Sequence, residues 1–240
     1  MSQAPRDSLL DARENRRMFD RIARRYDRMN ALLSLGQDRR WRRRGVQTLA
    51  PRAEGRYLDV GCGTGEMAIE IARQAPGACI VGIDPSADML AEAAAKIHRA
   101  GLGGCISFHR GDGLNMPFPD GAFDGLVCAF CIRNMTDRAR AFGQMRRVLK
   151  RGATAVILEL SVPRRRFAAA GHYLYSRWAI PLAGALIARS GGAYRYLVDS
   201  ILQFPPPGDL QAQMTAGGFA AVRVATLSLG AVVVLWGQAR

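Results

Sequence analysis

The sequence has 240 residues, 49% of them hydrophobic, so it can form a single domain with a full core and needs no disulfides or metals. Five cysteines are an odd number, which argues against a disulfide framework and predicts free thiols in a reducing compartment. A formal net charge of +14 points to an anionic partner, either nucleic acid or an acidic membrane surface, unless the arginines only decorate solvated helix faces.

The N-terminal segment is strongly basic. Residues 1–44 contain 13 arginines and six acidic residues, a net charge of +7. Apolar residues recur at helical spacing from Met18 onward, and a second short helix is predicted over residues 38–49. A helical pair ahead of the first strand predicts a cap over a site. The N-terminus has no apolar signal-peptide core, so no secretory leader is expected.

From Arg56 onward, strand and helix patterns alternate. This alternation predicts an α/β fold whose mostly parallel seven-stranded sheet is covered by helices on both faces. Only Ser228-Leu229-Gly230 separate the last two strands, so that pair is predicted to be antiparallel. Strands are predicted at residues 56–61, 79–83, 105–109, 124–130, 153–159, 221–227 and 231–236, and helices at 65–74, 86–100, 137–149 and 207–217.

Residues 161–206 interrupt the alternation. They contain three arginines at 164–166 and an apolar, aromatic run from Tyr173 to Ile187. An insert of this size with its own helical periodicity predicts a helical lid rather than a loop. Its most apolar stretch is broken by Pro181 and is shorter than the about 20 residues that span a bilayer. The predicted organisation is one domain (1–240) with a cap (1–50), a core (51–160), a lid insert (161–206) and the end of the sheet (207–240).

A glycine-rich turn, LDVGCGTGE at residues 58–66, follows the first predicted strand. A strand, a glycine turn and a helix hold nucleotide-like cofactors, because glycine lets the backbone approach the ligand. The third glycine follows the second by two positions, whereas a dinucleotide-binding fingerprint has three. This spacing argues against NAD and favours S-adenosylmethionine, which has no pyrophosphate. The predicted contacts in the turn are Asp59, Gly61, Gly63, Thr64 and Gly65.

Two carboxylates at the ends of the next strands support this interpretation. Asp84 ends the second predicted strand, where its carboxylate can accept hydrogen bonds from both ribose hydroxyls. The alternative is that Asp84 only caps the helix that starts near Ser86. Asp112 and Gly113 follow the third strand, where the aspartate can accept a hydrogen bond from the adenine amino group.

Motifs along nearly the whole chain resemble the class I S-adenosylmethionine-dependent methyltransferases and, more narrowly, the ubiquinone/menaquinone biosynthesis C-methyltransferase family. The matching segments are FDRIARRYDRMNALLSLGQDRRWRRR (19–44), LDVGCGTGE (58–66), MPFPDGAFD (116–124), IRNMTD (132–137), RRVLK (146–150), ILELS (157–161) and YRYLVDSI (194–201). The sequence departs from the family pattern at Glu66, where Asp is usual, at Cys131-Ile132, where Gly-Leu is usual, and at Ala129, where the family has a serine near the cofactor.

The resemblance implies a Rossmann-like methyltransferase fold and methyl transfer from S-adenosylmethionine to a ring carbon of a prenylated quinol, with demethylmenaquinol preferred over the benzoquinol of ubiquinone synthesis. It also implies cofactor contacts from Tyr26 and Ala129. An aromatic carbon becomes nucleophilic when a neighbouring hydroxyl loses its proton, so Arg133 is predicted to stabilise the resulting oxyanion. Asn134 is predicted to position the hydroxyl, and Tyr194 is the predicted catalytic tyrosine.

The expected setting is cytoplasmic, with the arginine clusters at 39–44 and 164–166 in peripheral contact with anionic lipid headgroups. Neither a metal nor a nucleic-acid partner is expected, since Cys128 and Cys131 lack a second ligand pair and no RNA-binding module is appended. A homodimer is compatible with the sequence. Two alternatives stay open: another small-molecule or RNA methyltransferase, and a methyltransferase-like binding protein without catalysis.

Overall fold

A seven-stranded sheet forms the centre of this computed structural model, which describes residues 12–163 and 191–240, with side chains from 13 to 163 and from 196 to 240. The strands are β1 (Arg56–Val60), β2 (Cys79–Asp84), β3 (Ile106–Arg110), β4 (Phe123–Ala129), β5 (Leu149–Leu160), β6 (Phe219–Leu227) and β7 (Val232–Ala239). The described helices are α1 (Ala12–Leu33), α2 (Asp38–Leu49), α3 (Glu66–Gln74), α4 (Ala87–Arg99), α5 (Arg138–Val148), α6 (Gly191–Leu202) and α7 (Pro207–Ala216), with 3₁₀ turns at Ile132–Asn134 and Ser228–Gly230.

The strand order across the sheet is β3-β2-β1-β4-β5-β7-β6. The first five strands pair in parallel, and β7 inserts antiparallel between β5 and β6. The predicted mostly parallel sheet with an antiparallel last strand is therefore confirmed. Parallel strands bring their carboxyl ends to one edge, and the glycine turn after β1 lies on that edge.

The largest boundary error concerns β5, which begins at Leu149 rather than at residue 153. Leu149 already pairs with Phe123 as α5 ends at Val148. The polar residues 150–152 between this pair and the apolar run hid the start of the strand from the sequence pattern. The predicted lid falls largely outside the described residues, and its described part contains α6.

Two hydrophobic layers cover the sheet, one on each face. Leu58 and Val60 of β1 point into the layer beneath α5 and α7, whereas Tyr57 points into the layer beneath α2 and α3. This alternation follows from the two-residue repeat of a strand. All five cysteines are free thiols, as predicted.

Helix α1, which together with α2 we call the cap, packs against α4 and α6. Ile22 and Ala23 pack against Met89 of α4, and Met29 packs against Leu197 of α6. The helix therefore crosses the carboxyl edge of the sheet instead of extending the sheet itself. None of the described helices has both the length and the hydrophobicity required to cross a bilayer.

Substitutions at two adjacent residues of α5 should change the free energy of unfolding in opposite directions. Phe142 is fully buried and Gly143 is exposed with open space around it. Phe142→Ala should lower the free energy of unfolding by about 3–5 kcal/mol, because it leaves a cavity in the core. Gly143→Ala should raise it by roughly 0.5–1 kcal/mol, because alanine restricts the unfolded chain. Urea unfolding checks both values, and equal effects of the two substitutions would contradict this packing.

Candidate active site

The glycine turn after β1 has three glycines in the left-handed region, with φ of 66° at Gly61, 52° at Gly63 and 82° at Gly65. A Cβ at Gly61 would overlap Cys131 Sγ, and one at Gly65 would lie 2.8 Å from the Phe108 ring. A Cβ at Gly63 would meet nothing within 4 Å. The protein itself therefore fills the space at two of the glycines, whereas the backbone at Gly63 is the part of the turn that a ligand can approach.

Asp84 ties this turn to the end of β2. Its Oδ2 accepts a hydrogen bond from Gly63 N at 2.9 Å, and its Oδ1 accepts one from Ser86 N at 2.9 Å. The N-cap of α4 is Ser86, whose Oγ accepts from Met89 N, so Asp84 is not the capping residue. Burial raises the pKa of Asp84 to about 6, which leaves it mostly ionised at neutral pH.

Asp59, at the carboxyl end of β1, is fully buried beneath the turn. Its Oδ2 accepts a hydrogen bond from Ala68 N at 3.2 Å, and its Oδ1 has no partner among the described residues. Burial raises the pKa of Asp59 to about 7. An acceptor without a partner is unfavourable in a protein interior, and its position under a ligand-binding turn marks a functional site.

Asp112 and Gly113 follow β3 on the same edge. Asp112 is exposed, and its Oδ1 accepts a hydrogen bond from Leu114 N at 2.9 Å, which closes a local turn. A Cβ at Gly113 would lie 2.7 Å from Met135 Cε, so a larger residue there would displace the end of the Met135 side chain. Ala129 ends β4 between these carboxylates and β5, and only 8% of its surface is exposed.

The cap is fastened to the glycine turn by charged side chains. Thr64 Oγ1 donates a hydrogen bond to Asp27 Oδ1 at 2.6 Å. Lys96 Nζ lies 2.6 Å from Asp27 Oδ2 and 2.5 Å from Glu66 Oε1. Ser86 Oγ also donates to Asp20 Oδ1 at 2.5 Å. Sequence reasoning missed Lys96, since 69 positions separate it from Asp27 and no local pattern marks the contact.

An apolar pocket of about 370 Å³ lies beside the glycine turn, under the cap. Its walls come from α1, α2, α6, the carboxyl ends of β4 and β5, and the 3₁₀ turn before β7. Tyr26, which precedes Asp27, lies in the wall, and burial raises its pKa. The main lining residues are Met18, Phe19, Ile22, Tyr26, Met29, Leu33, Trp41, Phe130, Arg133, Leu160, Tyr196, Leu197 and Ile201.

Arg133 contributes a buried ion pair to the pocket wall. Its Nη1 lies 2.5 Å from Glu159 Oε1 and donates to the Phe130 carbonyl oxygen at 2.8 Å. Burial opposes the charge on Arg133, but Glu159 together with Tyr26 and Tyr196 outweighs it, so the pKa of Arg133 is raised. The Nε atom is buried without a partner among the described residues. Sequence reasoning missed Glu159 and therefore treated Arg133 as an uncompensated charge, whereas the pair is neutral overall.

Three distant segments meet at the phenolic oxygen of Tyr196. Asn15 Nδ2 donates a hydrogen bond to Tyr196 Oη at 2.7 Å, and Tyr196 Oη donates to Asn134 Oδ1 at 3.0 Å. These contacts join α1, α6 and the 3₁₀ turn after β4. Burial raises the pKa of Tyr196 above its usual value. The side chain of Tyr194 lies outside the described residues, so its predicted catalytic role stays a prediction.

The comparisons with known proteins agree with this geometry. Residues 8–239 match the model of the ubiE/COQ5 methyltransferase family. The chain belongs to this family. It is an S-adenosylmethionine-dependent methyltransferase, which confirms the resemblance predicted from the motifs.

Two relatives with assigned names are similar to this chain over most of their length. The chain is 42% identical to the demethylmenaquinone methyltransferase of Thermus thermophilus, over 90% of this chain and 97% of that protein. It is 44% identical to the ubiquinone/menaquinone biosynthesis C-methyltransferase UbiE of Geobacter sulfurreducens, over 85% of this chain and 80% of that protein.

Solved structures share the fold at lower identity. The [4+2]-cyclase SpnF has a TM-score of 0.72 and 17% identity, with 96% of this chain and 97% of that chain covered. An S-adenosylmethionine-dependent methyltransferase from Thermotoga maritima has a TM-score of 0.67 and 19% identity, with 93% and 99% covered. A cyclase among these neighbours means that the fold alone does not fix the reaction.

The Lys96 bridge predicts an effect on cofactor affinity. Lys96→Met leaves the carboxylates of Asp27 and Glu66 close together without their cation, which should loosen the cap over the turn. We expect the Kd for S-adenosylmethionine to rise about tenfold, equivalent to about 1.4 kcal/mol. Calorimetric titration measures this change. Lys150→Met is the matched control, since Lys150 pairs with Asp124 at 2.6 Å on the opposite edge of the sheet. Equal losses in both variants would contradict the assigned role of Lys96.

Proposed function

We propose that this methyltransferase methylates a ring carbon of a prenylated quinol in the synthesis of menaquinone, ubiquinone or both, with demethylmenaquinol as the preferred substrate. The observation that carries the proposal is the apolar pocket under the cap, whose polar lining residues include Tyr26, Arg133 and Tyr196. Tyr196 in turn donates a hydrogen bond to Asn134. An apolar pocket with a few placed donors suits a flat aromatic ring that bears hydroxyls. The names of the relatives support the same substrate class.

The residues at the carboxyl edge fit the cofactor. Asp84 is ionised at neutral pH and lies where it can accept the ribose hydroxyls, next to the open backbone of Gly63. Asp112 is exposed at the end of β3, on the side expected for the adenine ring. Tyr26 lies in the pocket wall, and Ala129 ends β4 at the carboxyl edge of the sheet. When bound, S-adenosylmethionine supplies an electrophilic methyl group on a positively charged sulfur.

The buried tyrosines act as hydrogen-bond donors rather than as bases. Burial raises the pKa of Tyr26 and Tyr196 above their ordinary value of 10, so both stay protonated at neutral pH. A phenolate that forms on the quinol needs donors aimed at its oxygen, and such donors are most effective where water is excluded. The single O–H of Tyr196 donates to Asn134 Oδ1 in this structure, so it turns from Asn134 toward the quinol oxygen when it acts as the donor, while Asn15 Nδ2 continues to hold Tyr196 Oη in place.

Arg133 contributes to the same stabilisation in a different manner from an isolated cation. Glu159 neutralises most of its charge, so the pocket wall remains compatible with an apolar ligand. Glu159 and the Phe130 carbonyl occupy Nη1 of Arg133, so the Nη2 and Nε groups of its guanidinium are the donors without a partner among the described residues. We assign Arg133 to hydrogen bonding with the quinol oxygen and Glu159 to holding the guanidinium in place.

A peripheral location at the cytoplasmic membrane face completes the proposal. A prenylated quinol dissolves in the bilayer, and the charge of +14 favours anionic headgroups over water or neutral lipid. Assembly as a homodimer is compatible with this arrangement but is not required by it, because every residue assigned to the site comes from one chain.

Product analysis tests the reaction itself. The enzyme is incubated with labelled S-adenosylmethionine and a panel of reduced demethylmenaquinone and demethoxybenzoquinol analogues with short and long tails. Mass analysis should find a single added methyl group on the ring of at least one quinol, with the naphthoquinol favoured. A complete absence of methylated quinones would refute the proposed function, and methylated RNA would favour the alternative.

Replacement of Tyr196 tests its role as a donor. Tyr196→Phe removes the O–H but keeps the ring, so kcat should fall about 100-fold, as for the loss of one oxyanion donor. The Kd for S-adenosylmethionine should stay unchanged. Tyr57→Phe is the control, because Tyr57 Oη accepts a hydrogen bond from Arg52 N far from the pocket. If Tyr196→Phe impaired cofactor binding instead of turnover, Tyr196 would be structural.

A further inference from the structure

Two leucines on neighbouring turns extend their side chains into solvent. Leu35 lies between α1 and α2 with 75% of its surface exposed, and Leu229 lies between β6 and β7 with 76% exposed. They are the two most exposed large hydrophobic residues in the described part of the chain. We call this pair the leucine tips. Single exposed leucines are common on proteins, so exposure alone does not identify a functional surface.

The backbone at both leucines is also unusual. Leu35 has φ of 51° and Leu229 has φ of 59°, in the left-handed region that glycine and asparagine adopt far more readily than leucine. Each position is therefore unfavourable for leucine twice, through backbone strain and through an apolar side chain in water. Asparagine or glycine would adopt this backbone conformation with less strain and would expose no apolar side chain. Residues that break local rules in this way concentrate at functional sites.

The two turns form one unit at the mouth of the apolar pocket. Ser228 Oγ accepts a hydrogen bond from Trp41 Nε1 at 2.8 Å and donates one to Gln37 Oε1 at 2.8 Å. All three residues line the pocket. Val162, which is 38% exposed, follows Ser161, whose N–H donates to Ala231 O beside the same turn. Leu32 adds a further exposed side chain one helical turn before Leu35. The pocket mouth thus has an apolar rim.

Exposed arginines lie on α1 and α2, the two helices that Leu35 joins; three of those on α2 (39, 40 and 43) line a neighbouring polar pocket with Glu66, Glu70 and Arg73. On α1, an exposed stripe at helical spacing runs toward Leu32 and Leu35 and consists of Arg17, Arg21, Arg24 and Arg28. The first two turns of α2 add exposed arginines at 39, 40, 43 and 44. Apolar tips flanked by arginine-rich helices match the interface of an anionic bilayer, where leucine enters the acyl boundary and arginine binds phosphate. A second copy of this surface would be repelled by its like charge. A nucleic-acid backbone would bind the arginines but would leave the two leucine side chains without an apolar contact.

We infer that the leucine tips insert into an anionic lipid bilayer and that the pocket mouth opens directly into the lipid. This inference rests on the proposed function, because only a lipid-soluble substrate gives that orientation a purpose. The prenyl tail then enters the pocket from the membrane without crossing water. The inference names the face of the enzyme that binds the membrane, whereas net charge alone does not.

Asparagine substitutions separate membrane binding from folding and from charge. Leu35→Asn and Leu229→Asn keep the net charge and suit a positive φ, so the melting temperature of the full chain should not fall. Binding is measured by co-sedimentation with vesicles of phosphatidylglycerol and phosphatidylcholine, with pure phosphatidylcholine vesicles as the reference. The double variant should bind the anionic vesicles about tenfold more weakly than the parent. Unchanged binding of a folded double variant would overturn the inference.

A matched pair of arginines tests where the charge acts. Arg40→Asn removes one exposed cation from the first turn of α2, the helix that follows Leu35, and Arg151→Asn removes one at the start of β5, on the opposite edge of the sheet. Only Arg40→Asn should weaken vesicle binding and reduce its salt dependence. Equal losses in the two variants would mean that net charge governs binding and would overturn the inference. Displacement of the vesicles by single-stranded RNA, with no effect of the leucine substitutions, would overturn it in favour of nucleic acid.

An activity assay distinguishes failure of this inference from failure of the proposed function. Leu229→Asn is used because Leu229 does not line the pocket. It should methylate a short-tailed, water-soluble quinol at the parent rate but methylate a long-tailed quinol in anionic vesicles more slowly. If Leu229→Asn methylated both substrates at the parent rate, the inference would be overturned and the proposed function would stay intact. Leucine-dependent vesicle binding by a parent enzyme that methylates no quinol would overturn only the proposed function.

Discussion

The buried ion pair between Arg133 and Glu159 fixes the wall that separates the cofactor edge from the apolar pocket. Glu159 is completely buried and accepts hydrogen bonds from the Arg133 guanidinium, the Arg133 N–H and the Leu160 N–H. The end of β5 thereby holds the turn after β4 in place. Breaking such a pair by removing one partner costs about 3–5 kcal/mol, since the other charge stays buried. The shape of the pocket wall therefore depends on this buried ion pair.

The cap serves both parts of the site. One face of α1 brings Asp27 to Thr64 of the glycine turn, and its inner apolar residues, such as Met18 and Met29, line the pocket. Because α1 contacts both, a displacement of this single helix would expose the cofactor edge and the pocket together. Binding on either side that favours the closed helix then favours binding on the other side, because linkage is reciprocal.

Much of this architecture could be predicted from the sequence, for identifiable reasons. Apolar runs located the strands, glycine spacing located the turn, and Asp84 followed from its position at the end of a strand. The partners of charged and polar groups could not be predicted. Asn15 and Tyr196 are 181 positions apart, and nothing near Arg133 indicates that Glu159 binds it. Local periodicity encodes which side of an element is apolar, but it does not encode which two polar side chains meet.

The two buried carboxylates at the glycine turn show what the site demands of the fold. Burial raises the pKa of Asp59 from 3.8 to about 7 and that of Asp84 from 3.8 to about 6. The folded chain therefore holds these protons more tightly than the unfolded chain does, and both groups reduce stability as pH rises from about 4 to about 7. At neutral pH Asp84 is mostly ionised and Asp59 is partly ionised although both are poorly solvated, which a purely structural sequence would avoid. Binding competence and folding stability are thus in direct opposition at this edge of the sheet.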